Sequence, residues 1–382
     1  MKINKIQDIK HSEGTVIFVT GVTGQDGSYM VDYLLRETSA LIVGGARRLS
    51  VENHDNIKHL ENEPRFQLVN FDLTDSHSIY KIIEYVKPDY FINFAAQSFV
   101  ASSWDFARQT WECNSTAVLD CLEAIRQLRP SCRFYNAGSS EEFGNVVYEP
   151  QDENHPLRPR SPYGASKAAA RTLVKVYRES YGLYAVQGWL FNHEGPRRGE
   201  EFVTRKITKG VANIFDAIIN NKPIIPIELG NLDTKRDWSD AEDMMDAVWK
   251  MLNQDKYNMA FFCRSDCSMF PSQIGKHIKD YVVGSGENHT IREFIEKGFD
   301  LVGIKGYWNY IPDKPESEHF SQIDYPDRIL VKINPKFYRP AEVDILRANS
   351  DKIKKELGWQ PKITFDGMIE KMITNDLKKF DT

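Results

Sequence analysis

Cysteine is scarce in this sequence, and its scarcity excludes one class of protein. The chain has five cysteines in 382 residues. A small and odd number argues against the disulfide framework of a secreted domain. Cys263 and Cys267 form a C-x-x-x-C pair, but no second pair completes the ligand set of a structural zinc site. A zinc site there is a minor alternative, and we predict no bound metal.

Long apolar runs and an excess of one charge are also missing. No run approaches the ~20 apolar residues of a membrane span, and residues 1–14 lack the apolar segment of a secretory signal. The 49 basic and 54 acidic residues leave a formal net charge of −5, which offers no dedicated nucleic-acid surface. These absences predict a soluble cytoplasmic protein that binds neither nucleic acid nor membrane.

The first feature that is present is a strand followed by a glycine-rich turn and a helix. Residues 15–20 are continuously apolar or β-branched, which is typical of a parallel strand buried on both faces. A G-x-x-G-x-x-G turn follows, ahead of an amphipathic helix predicted over 28–37. This spacing lets the backbone approach a pyrophosphate and present helix N-terminal amides to it. The residues that we predict to bind a dinucleotide here are Gly21, Gly24, Gln25, Asp26 and Gly27.

The next strands end in residues that suit the rest of such a cofactor. A strand predicted over 41–46 ends in Arg47 and Arg48. Arginines without an acid at this position favour the 2′-phosphate of NADP over the free hydroxyl of NAD, so we predict NADP. The alternative is that both are solvated surface charges. Further candidate cofactor contacts follow the strands at 66–70 and 90–96, and they are Asp72, Leu73 and Ala95.

Strands continue to alternate with helices through the first half of the chain. Helices are predicted over 76–86 and 104–128, and a further strand over 133–137. Such alternation predicts an α/β fold with a Rossmann-like, doubly wound parallel sheet, and ligands bind beyond the carboxyl ends of its strands.

The domain division is less distinct in the sequence. We expect a Rossmann-like NADP-binding domain over residues 1–190 and a smaller α/β domain, mainly residues 191–382, that binds the substrate. No linker rich in Pro, Gly or Ser marks a boundary. Apolar runs near 241–252 and 281–284 are expected to return to the first domain, as the family resemblance given below implies.

Tyr163 and Lys167 form the candidate pair for proton transfer. They are four residues apart on a helix predicted from about Ser161 to Tyr181, so they project from the same face. Free tyrosine is a poor base at neutral pH because its pKa is about 10, and an adjacent ammonium lowers that value. The pair can therefore take the proton of a secondary alcohol that loses a hydride. The spacing alone also fits an ordinary amphipathic helix.

Seven segments together resemble a known family. They read GVTGQDGSY, NFAAQSFV, SSEEFG, SPYGASK, LFNHEGPRRGEEFVTRKI, KRDW and FYRPAEVD, and they extend in order over roughly residues 14–372. The set resembles the extended short-chain dehydrogenase/reductase family, and within it the GDP-mannose 4,6-dehydratases. The NHE-x-PRRGE-x-FVTRKI block is the most specific part of this resemblance.

The resemblance implies a role for each candidate residue. Ser139 takes the place of the active-site Thr or Ser, Glu141 that of the catalytic carboxylate, and Tyr163 and Lys167 that of the Tyr/Lys couple. A homo-oligomer, dimer or tetramer, is also implied, with the loop at 47–53 in an interface. Residues expected at the ligands are His193 and Arg198 for the cofactor, and Asn192, Lys206, Arg236, Arg339 and Glu342 for the GDP-sugar.

The implied reaction dehydrates GDP-mannose, or a closely related GDP-sugar, to a 4-keto-6-deoxy sugar. Tyr163 takes the C4 hydroxyl proton, Glu141 removes the C5 proton that the new ketone makes acidic, and Ser139 hydrogen-bonds the C4 oxygen. Glu141 lies two positions after Ser139 on an extended segment, so both are expected to point to one side. The alternative for Glu141 is a surface acid, a role that also suits Glu142.

Four departures from the family pattern stand out, and the first two bear on the substrate. Gly195 stands where relatives have serine, and Gly138 lies in an Ala-Gly-Ser-Ser segment that reads Ala-Ser-Thr-Ser in relatives. We expect both to enlarge the space near the sugar, which keeps a GDP-manno-heptose 4,6-dehydratase as an alternative. Residues 168–171 are bulkier and aromatic in relatives, and 259–280 contain additional sequence that is expected to be a surface feature, an interface or a pocket rim.

Two alternatives from other functional classes are weaker. A sugar-nucleotide epimerase on the same fold usually lacks a carboxylate at the position of Glu141. A non-catalytic NADP-binding sensor is expected to lose Tyr163 or Lys167, and both are present.

Overall fold

The structure is a computed structural model that describes residues 1–9, 14–51, 53–257, 277–310, 314–338, 343 and 345–380. The strands are β1 (Ile3–Asn4), β2 (Val16–Thr20), β3 (Leu41–Ala46), β4 (Phe66–Asn70), β5 (Tyr90–Asn93), β6 (Arg133–Ala137), β7 (Ala185–Leu190), β8 (Asn192–Glu194), β9 (Ile227–Leu229), β10 (Lys235–Arg236), β11 (Trp238–Asp240), β12 (Val282–Val283), β13 (His289–Thr290), β14 (Gly306–Asn309), β15 (His319–Gln322), β16 (Tyr325–Ile333) and β17 (Ile345–Leu346). The α-helices are α1 (Gln25–Glu37), α2 (Ser76–Val86), α3 (Ala107–Trp111), α4 (Ala117–Leu128), α5 (Pro162–Tyr181), α6 (Val203–Ile219), α7 (Ala241–Leu252), α8 (Gln254–Tyr257), α9 (Ile291–Leu301), α10 (Asp351–Leu357) and α11 (Phe365–Leu377).

A parallel sheet of eight strands organises the fold. Its strands run in the spatial order β1-β4-β3-β2-β5-β6-β7-β12. The order reverses between β2 and β5, and such a reversal leaves a crevice beyond the carboxyl ends of the strands. Every residue of β2 and β3 is buried, which explains their unbroken apolar sequence. The predicted doubly wound α/β fold is confirmed.

Helices cover both faces of this sheet. Helices α1 and α7 pack in one apolar core, and α2, α4 and α5 pack in the other. Helix α5 has strong end signals: the Ser161 side chain accepts a hydrogen bond from the Gly164 amide, Pro162 begins the helix, and Gly182 ends it at φ 70°. These signals fix the first turn of α5, which contains Tyr163.

The helix predicted over 104–128 is interrupted. A 3₁₀ turn at Ala101–Ser103 and helix α3 are followed by a π-helical turn at Glu112–Thr116, and α4 begins after it. The Asn114 side chain accepts from the Gln97 amide and donates to the Gln97 carbonyl, both at 2.9 Å. A side chain that bonds a neighbouring loop at a π-turn accounts for the break, and hydrophobic periodicity does not reveal it.

The C-terminal half has its own core and its own sheet. Strands β14, β15, β16 and β9 form a four-stranded sheet, and residues of α6, α9 and α11 pack against it. The short pair β8–β11 and the three-stranded group β13-β10-β17 form two further small sheets. Later segments also enter the large sheet region, because β12 pairs with β7 and α7 packs in the core of α1.

Two predictions fall largely outside the described residues. Cys263 and Cys267, and most of the additional sequence at 259–280, lie in the range 258–276, which is not described. Within the described ranges, no helix combines the length and apolar character that crossing a membrane requires.

Candidate active site

The glycine-rich turn connects β2 to α1 with almost no space for side chains. Gly21 has φ 67°, and a Cβ atom on it would lie 2.9 Å from the backbone nitrogen of Ala95. A Cβ atom on Gly27 would lie 2.3 Å from the carbonyl oxygen of Gly21. Gly24 caps α1, so the free amides of the first helical turn face the crevice. This bare backbone at a helix N-terminus fits a pyrophosphate.

An ion pair links this turn to the C-terminal half. The His193 ring Nε2 lies 3.1 Å from Asp26 Oδ2, and its Nδ1 lies 2.7 Å from the Phe191 carbonyl oxygen. Burial alone would raise the pKa of Asp26, but His193 and then Arg198 outweigh it and hold that pKa well below its usual range. Burial likewise opposes the charged imidazole, yet the Asp26 carboxylate raises the pKa of His193.

A cavity of about 770 Å³ opens beside the turn, at the carboxyl edge of the sheet. Four candidate catalytic residues, Ser139, Glu141, Tyr163 and Lys167, contribute to its wall. They come from two elements, because the first two follow β6 and the last two lie in the first turns of α5. Ser139 and Lys167 lie 28 positions apart in the sequence, and the fold brings them into the wall of one cavity.

The polar contacts in this group differ from the sequence-based expectation. The Lys167 ammonium donates to the Ala137 carbonyl at 2.8 Å and lies 5.8 Å from the centroid of the Tyr163 ring. Burial raises the pKa of Tyr163, while a hydrogen bond with the Ser139 side chain acts in the opposite direction. Burial also lowers the pKa of Lys167. The prediction that Lys167 gives Tyr163 a low pKa is thus not what this structure shows, because burial dominates.

A ladder of buried polar side chains crosses the sheet beneath the cavity, and the sequence did not reveal it. The Thr20 hydroxyl donates to Asn93 Oδ1 at 2.6 Å, Asn93 Nδ2 to Asn136 Oδ1 at 2.8 Å, and Asn136 Nδ2 to Gln187 Oε1 at 2.7 Å. Gln187 Nε2 then donates to the Lys167 carbonyl at 3.0 Å and to Glu142 Oε1 at 3.1 Å. The signal available in the sequence was a polar residue at the same register in four adjacent strands.

Glu142 is the final acceptor of this ladder, and it is not a surface acid. Its side chain is fully buried and lies 2.5 Å from Arg171 Nε. It also accepts a hydrogen bond from the Ser139 amide at 2.9 Å. The interpretation of Glu142 as a solvated acid was wrong, because Arg171 neutralises its charge inside the protein. Glu141 is the partly exposed acid of the two, and it lines the cavity.

The C-terminal half supplies the opposite wall. Asn192 on β8, Lys206 on α6 and Arg236 on β10 all line the cavity. The Lys206 ammonium lies 3.7 Å from the centroid of the Phe337 ring, and burial lowers the pKa of Lys206. Arg236 is buried, with Nη1 donating to the Lys235 carbonyl at 2.9 Å. Arg339 and Glu342, the other predicted sugar-nucleotide contacts, lie outside the described residues.

Of the remaining cofactor candidates, one lines the cavity and the others follow the ends of strands. Arg198 lines the cavity, and its Nε lies 3.0 Å from the buried Glu194 carboxylate. Arg47 and Arg48 are exposed after β3. Asp72 and Leu73 follow β4: the Asp72 carboxylate accepts hydrogen bonds from the Thr74 amide and hydroxyl, and Leu73 is buried. Ala95 follows β5, and its amide donates to Thr20 Oγ. Across the described ranges, no three His, Cys, Asp or Glu side chains form a cluster that could hold a metal ion.

The two glycine departures do not enlarge the cavity. A Cβ atom on Gly138 would lie 2.2 Å from the Gly188 carbonyl oxygen and 2.7 Å from Arg171 Nη2. A Cβ atom on Gly195 would lie 3.0 Å from the Tyr29 hydroxyl. Both directions lead into packed protein, so the expectation that these glycines loosen the sugar site was wrong. The argument that they favour a larger heptose substrate falls with it.

Comparison with known proteins supports the resemblance seen in the sequence. A family model described as GDP-mannose 4,6 dehydratase matches residues 18–266 and 267–372. GDP-mannose 4,6 dehydratase from Drosophila melanogaster is 40% identical over 376 residues, covering 96% of this chain and 87% of that protein.

Two solved structures share the fold at lower identity. One is the dTDP-glucose 4,6-dehydratase DesIV of Streptomyces venezuelae with NAD and TYD bound, with a TM-score of 0.73, 19% identity and coverage of 96% of this chain and 98% of that one. The other is RMD from Pseudomonas aeruginosa complexed with NADPH, with a TM-score of 0.70, 21% identity and coverage of 96% and 100%. The sequence matches and the shared fold together show that the chain belongs to the GDP-mannose 4,6-dehydratase family.

Proposed function

We propose that this protein is a hydro-lyase that converts GDP-mannose to the GDP-linked 4-keto-6-deoxy sugar and uses NADP. One observation carries the proposal: Ser139, Glu141, Tyr163 and Lys167 share a single cavity with cationic residues of the C-terminal half. The first group suits proton transfer at a sugar ring, and the second suits a diphosphate. Membership of the family supports GDP-mannose as the sugar nucleotide that this cavity binds.

In the first step the chain removes the proton of the C4 hydroxyl. Tyr163 is the acceptor, and the Lys167 ammonium, 5.8 Å from the Tyr163 ring centroid, offsets part of the burial that disfavours the phenolate. A nicotinamide dinucleotide held at the Gly21–Gly27 turn would supply the redox chemistry, which is oxidation at C4 and reduction at C6. Ser139 hydrogen-bonds the C4 oxygen while that oxygen changes from hydroxyl to ketone.

In the second step the chain eliminates water across C5 and C6. The C4 ketone acidifies the C5 proton, and Glu141 removes it because a carboxylate is a sufficient base for such a carbon. The C6 hydroxyl leaves as water. Tyr163 supplies the proton that the departing hydroxyl needs, and Glu141 returns its proton to C5 as C6 is reduced, so both side chains end the cycle in their starting protonation states.

Residues of the chain also provide the cofactor site. The bare backbone of the Gly21–Gly27 turn suits the pyrophosphate, with Gln25 and Asp26 beside it and Asp72, Leu73 and Ala95 near the adenine side. Arg47 and Arg48 suit a 2′-phosphate, which is why we propose NADP rather than NAD. The cofactor half is proposed to comprise residues 1–190 with the segments at 241–252 and 281–284.

The proposed substrate site lies in the remaining half. Lys206 and Arg236 neutralise the diphosphate, and Asn192 is placed to hydrogen-bond the sugar. Arginine suits a diphosphate because its planar fork donates in bidentate fashion, whereas lysine acts as a point charge.

Product mass and isotope position test the proposal together. The purified protein is incubated with NADP and GDP-mannose that has deuterium at C4, and we expect the product to lose one water and to hold deuterium at C6. Tyr163→Phe serves as the inactive control. A product of unchanged mass would indicate an epimerase, and deuterium lost to the cofactor pool would exclude hydride return. GDP-manno-heptose is tested in parallel. If the protein converts it faster than GDP-mannose, GDP-manno-heptose is the preferred substrate.

A further inference from the structure

The ion pair between Glu142 and Arg171 lies directly behind the candidate catalytic residues. Arg171 Nε is 2.5 Å from Glu142 Oε2, and Nη2 donates to Oε1 at 3.3 Å. Both side chains are almost wholly buried. The guanidinium carbon also lies 3.3 Å from the centroid of the Trp189 ring, and Nη1 donates to the Gln187 carbonyl at 2.6 Å. The guanidinium is therefore held in one orientation by three different groups.

Each partner of the pair belongs to a different part of the active site. Glu142 ends the short 3₁₀ turn that begins after Ser139, and its carboxylate accepts from the Ser139 amide at 2.9 Å. Arg171 lies on α5, one turn after Lys167 and two turns after Tyr163. Residues four apart on a helix share one face, so Tyr163, Lys167 and Arg171 form a single stripe that faces the sheet.

Proton transfer in this cavity requires these two elements to stay in register. Ser139 and Glu141 come from the loop after β6, whereas Tyr163 comes from α5. Few direct polar links join them: the hydrogen bond between the Ser139 and Tyr163 side chains is one, and the bond from Lys167 to the Ala137 carbonyl is another. The Glu142–Arg171 pair is a charged link of the same kind, and it lies outside the wall of the cavity.

We propose that Glu142 and Arg171 are positioning residues, which fix the catalytic loop against α5 so that Ser139, Glu141 and Tyr163 converge on one sugar ring. This inference rests on the proposed function and adds residues that touch neither substrate nor cofactor. A buried ion pair is a weak source of net stability, since apolar or neutral replacements of both partners often leave stability unchanged. Its value here is geometric, because a misplacement of about 1 Å can lower a rate by about 100-fold.

The test compares one double variant with a control ion pair at the opposite end of β6. Glu142→Gln/Arg171→Met removes both charges, keeps an acceptor for the Ser139 amide and fills the space above Trp189. Arg133 provides the control, because it begins β6 at the end away from the catalytic loop and donates to both Asp255 carboxylate oxygens at 2.7 Å. Arg133→Met/Asp255→Asn therefore removes a bidentate ion pair without loosening that loop.

We expect the Glu142/Arg171 double variant to unfold at nearly the temperature of the unaltered protein. Its kcat should fall about tenfold to 100-fold with KM and NADP affinity unchanged, since misplacement acts on the reacting groups alone. Arg171→Lys should lower kcat in the same way, because a point charge cannot bond Glu142 and the Gln187 carbonyl together. The control pair should keep its kcat whether or not its melting temperature changes.

Normal kcat in the folded Glu142/Arg171 double variant would overturn the inference, and so would an equal loss in the control pair. Both results would mean that the pair has only a structural role. The proposed function is tested separately by the unaltered protein. If that protein dehydrates no GDP-sugar, the proposed function fails before the variants are compared.

Discussion

The two walls of the cavity are built in different ways. On the sheet side, the candidate catalytic residues follow parallel strands, and a continuous ladder of buried hydrogen bonds runs beneath them from Thr20 to Glu142. On the opposite side, Arg236 projects from a strand of two residues, and Lys206 packs on the ring of Phe337, which is 42% exposed. One wall is held by a continuous hydrogen-bond ladder, and the other presents long cationic side chains from separate elements.

This difference suggests that one wall sets the rate of catalysis and the other sets the affinity for the GDP-sugar. Buried and fully bonded groups hold a fixed geometry, which catalysis needs for preorganised proton transfer. Long cationic side chains adapt to a charged ligand and contribute to its binding. Substitutions on the sheet side should therefore change kcat, and substitutions on the opposite side should change the affinity for GDP.

The largest effect is expected for Tyr163→Phe. The variant loses the group that accepts the C4 proton, so both oxidation and dehydration should fall by about 10²- to 10⁴-fold. GDP affinity, measured by calorimetry, should stay the same. Weaker GDP binding in this variant, with the melting temperature unchanged, would break the division between the two walls.

Glu141→Gln should separate the two chemical steps. Glutamine cannot take the C5 proton, so dehydration should fall by about 10²- to 10⁴-fold while C4 oxidation continues. Absorbance of the reduced nicotinamide should therefore accumulate during a single turnover. Glu142→Gln is not an equivalent control because Glu142 is buried, and Glu112→Gln on the surface serves instead. Near-normal dehydration by the Glu141 variant would show that another group is the base.

Arg236→Lys tests the opposite wall. Loss of a charge-assisted hydrogen bond should weaken GDP binding by about 1.5–3 kcal/mol, with NADP affinity unchanged. Lys235→Arg is the neighbouring control, because Lys235 is exposed and adds no group to the cavity. If kcat falls and GDP affinity does not, Arg236 belongs functionally to the catalytic wall.

Arg48→Asp should have a smaller effect, confined to cofactor choice. An acid at the end of β3 repels a 2′-phosphate and accepts from a ribose hydroxyl, so the preference for NADP over NAD should narrow. Binding of both cofactors is measured by fluorescence titration, with Lys81→Asp as the control, because Lys81 is exposed on α2. Equal affinities for NADP and NAD in the unaltered protein would contradict the assignment of NADP.

The smallest effect is expected on the thermal stability of the fold, through the ion pair between Asp26 and His193. The lowered pKa of Asp26 stabilises the fold above its ordinary value of about 3.9, and that contribution is lost as the pH falls. The raised pKa of His193 stabilises the fold below about 6.5, and that contribution is lost as the pH rises. His193→Asn should therefore lower the melting temperature most between about pH 4 and 6.5. A difference that does not vary with pH would mean that the pair is uncharged.

Local patterns in the sequence predicted the sheet and the glycine-rich turn for a simple reason. Parallel strands end at the same edge, so motifs after separate strands meet without any knowledge of side-chain packing. The position of Arg171 could also have been predicted from the sequence, because it continues the four-residue spacing of Tyr163 and Lys167 by one more helical turn. It was noted only as a departure from bulkier residues, since its partner Glu142 is distant in the chain.

The sequence by itself determined the α/β fold, the cofactor turn and the catalytic candidates, because strand periodicity, glycine spacing and helical spacing are properties of neighbouring residues. Only the tertiary structure decided the direction of the Tyr163 pKa shift, the burial of Glu142 and the surroundings of Gly138 and Gly195. Burial raises the pKa of Tyr163 despite its lysine, Arg171 holds Glu142 inside, and packed neighbours face Gly138 and Gly195. Each outcome depends on atoms from distant parts of the chain, and desolvation and steric contact arise only when folding brings those atoms together.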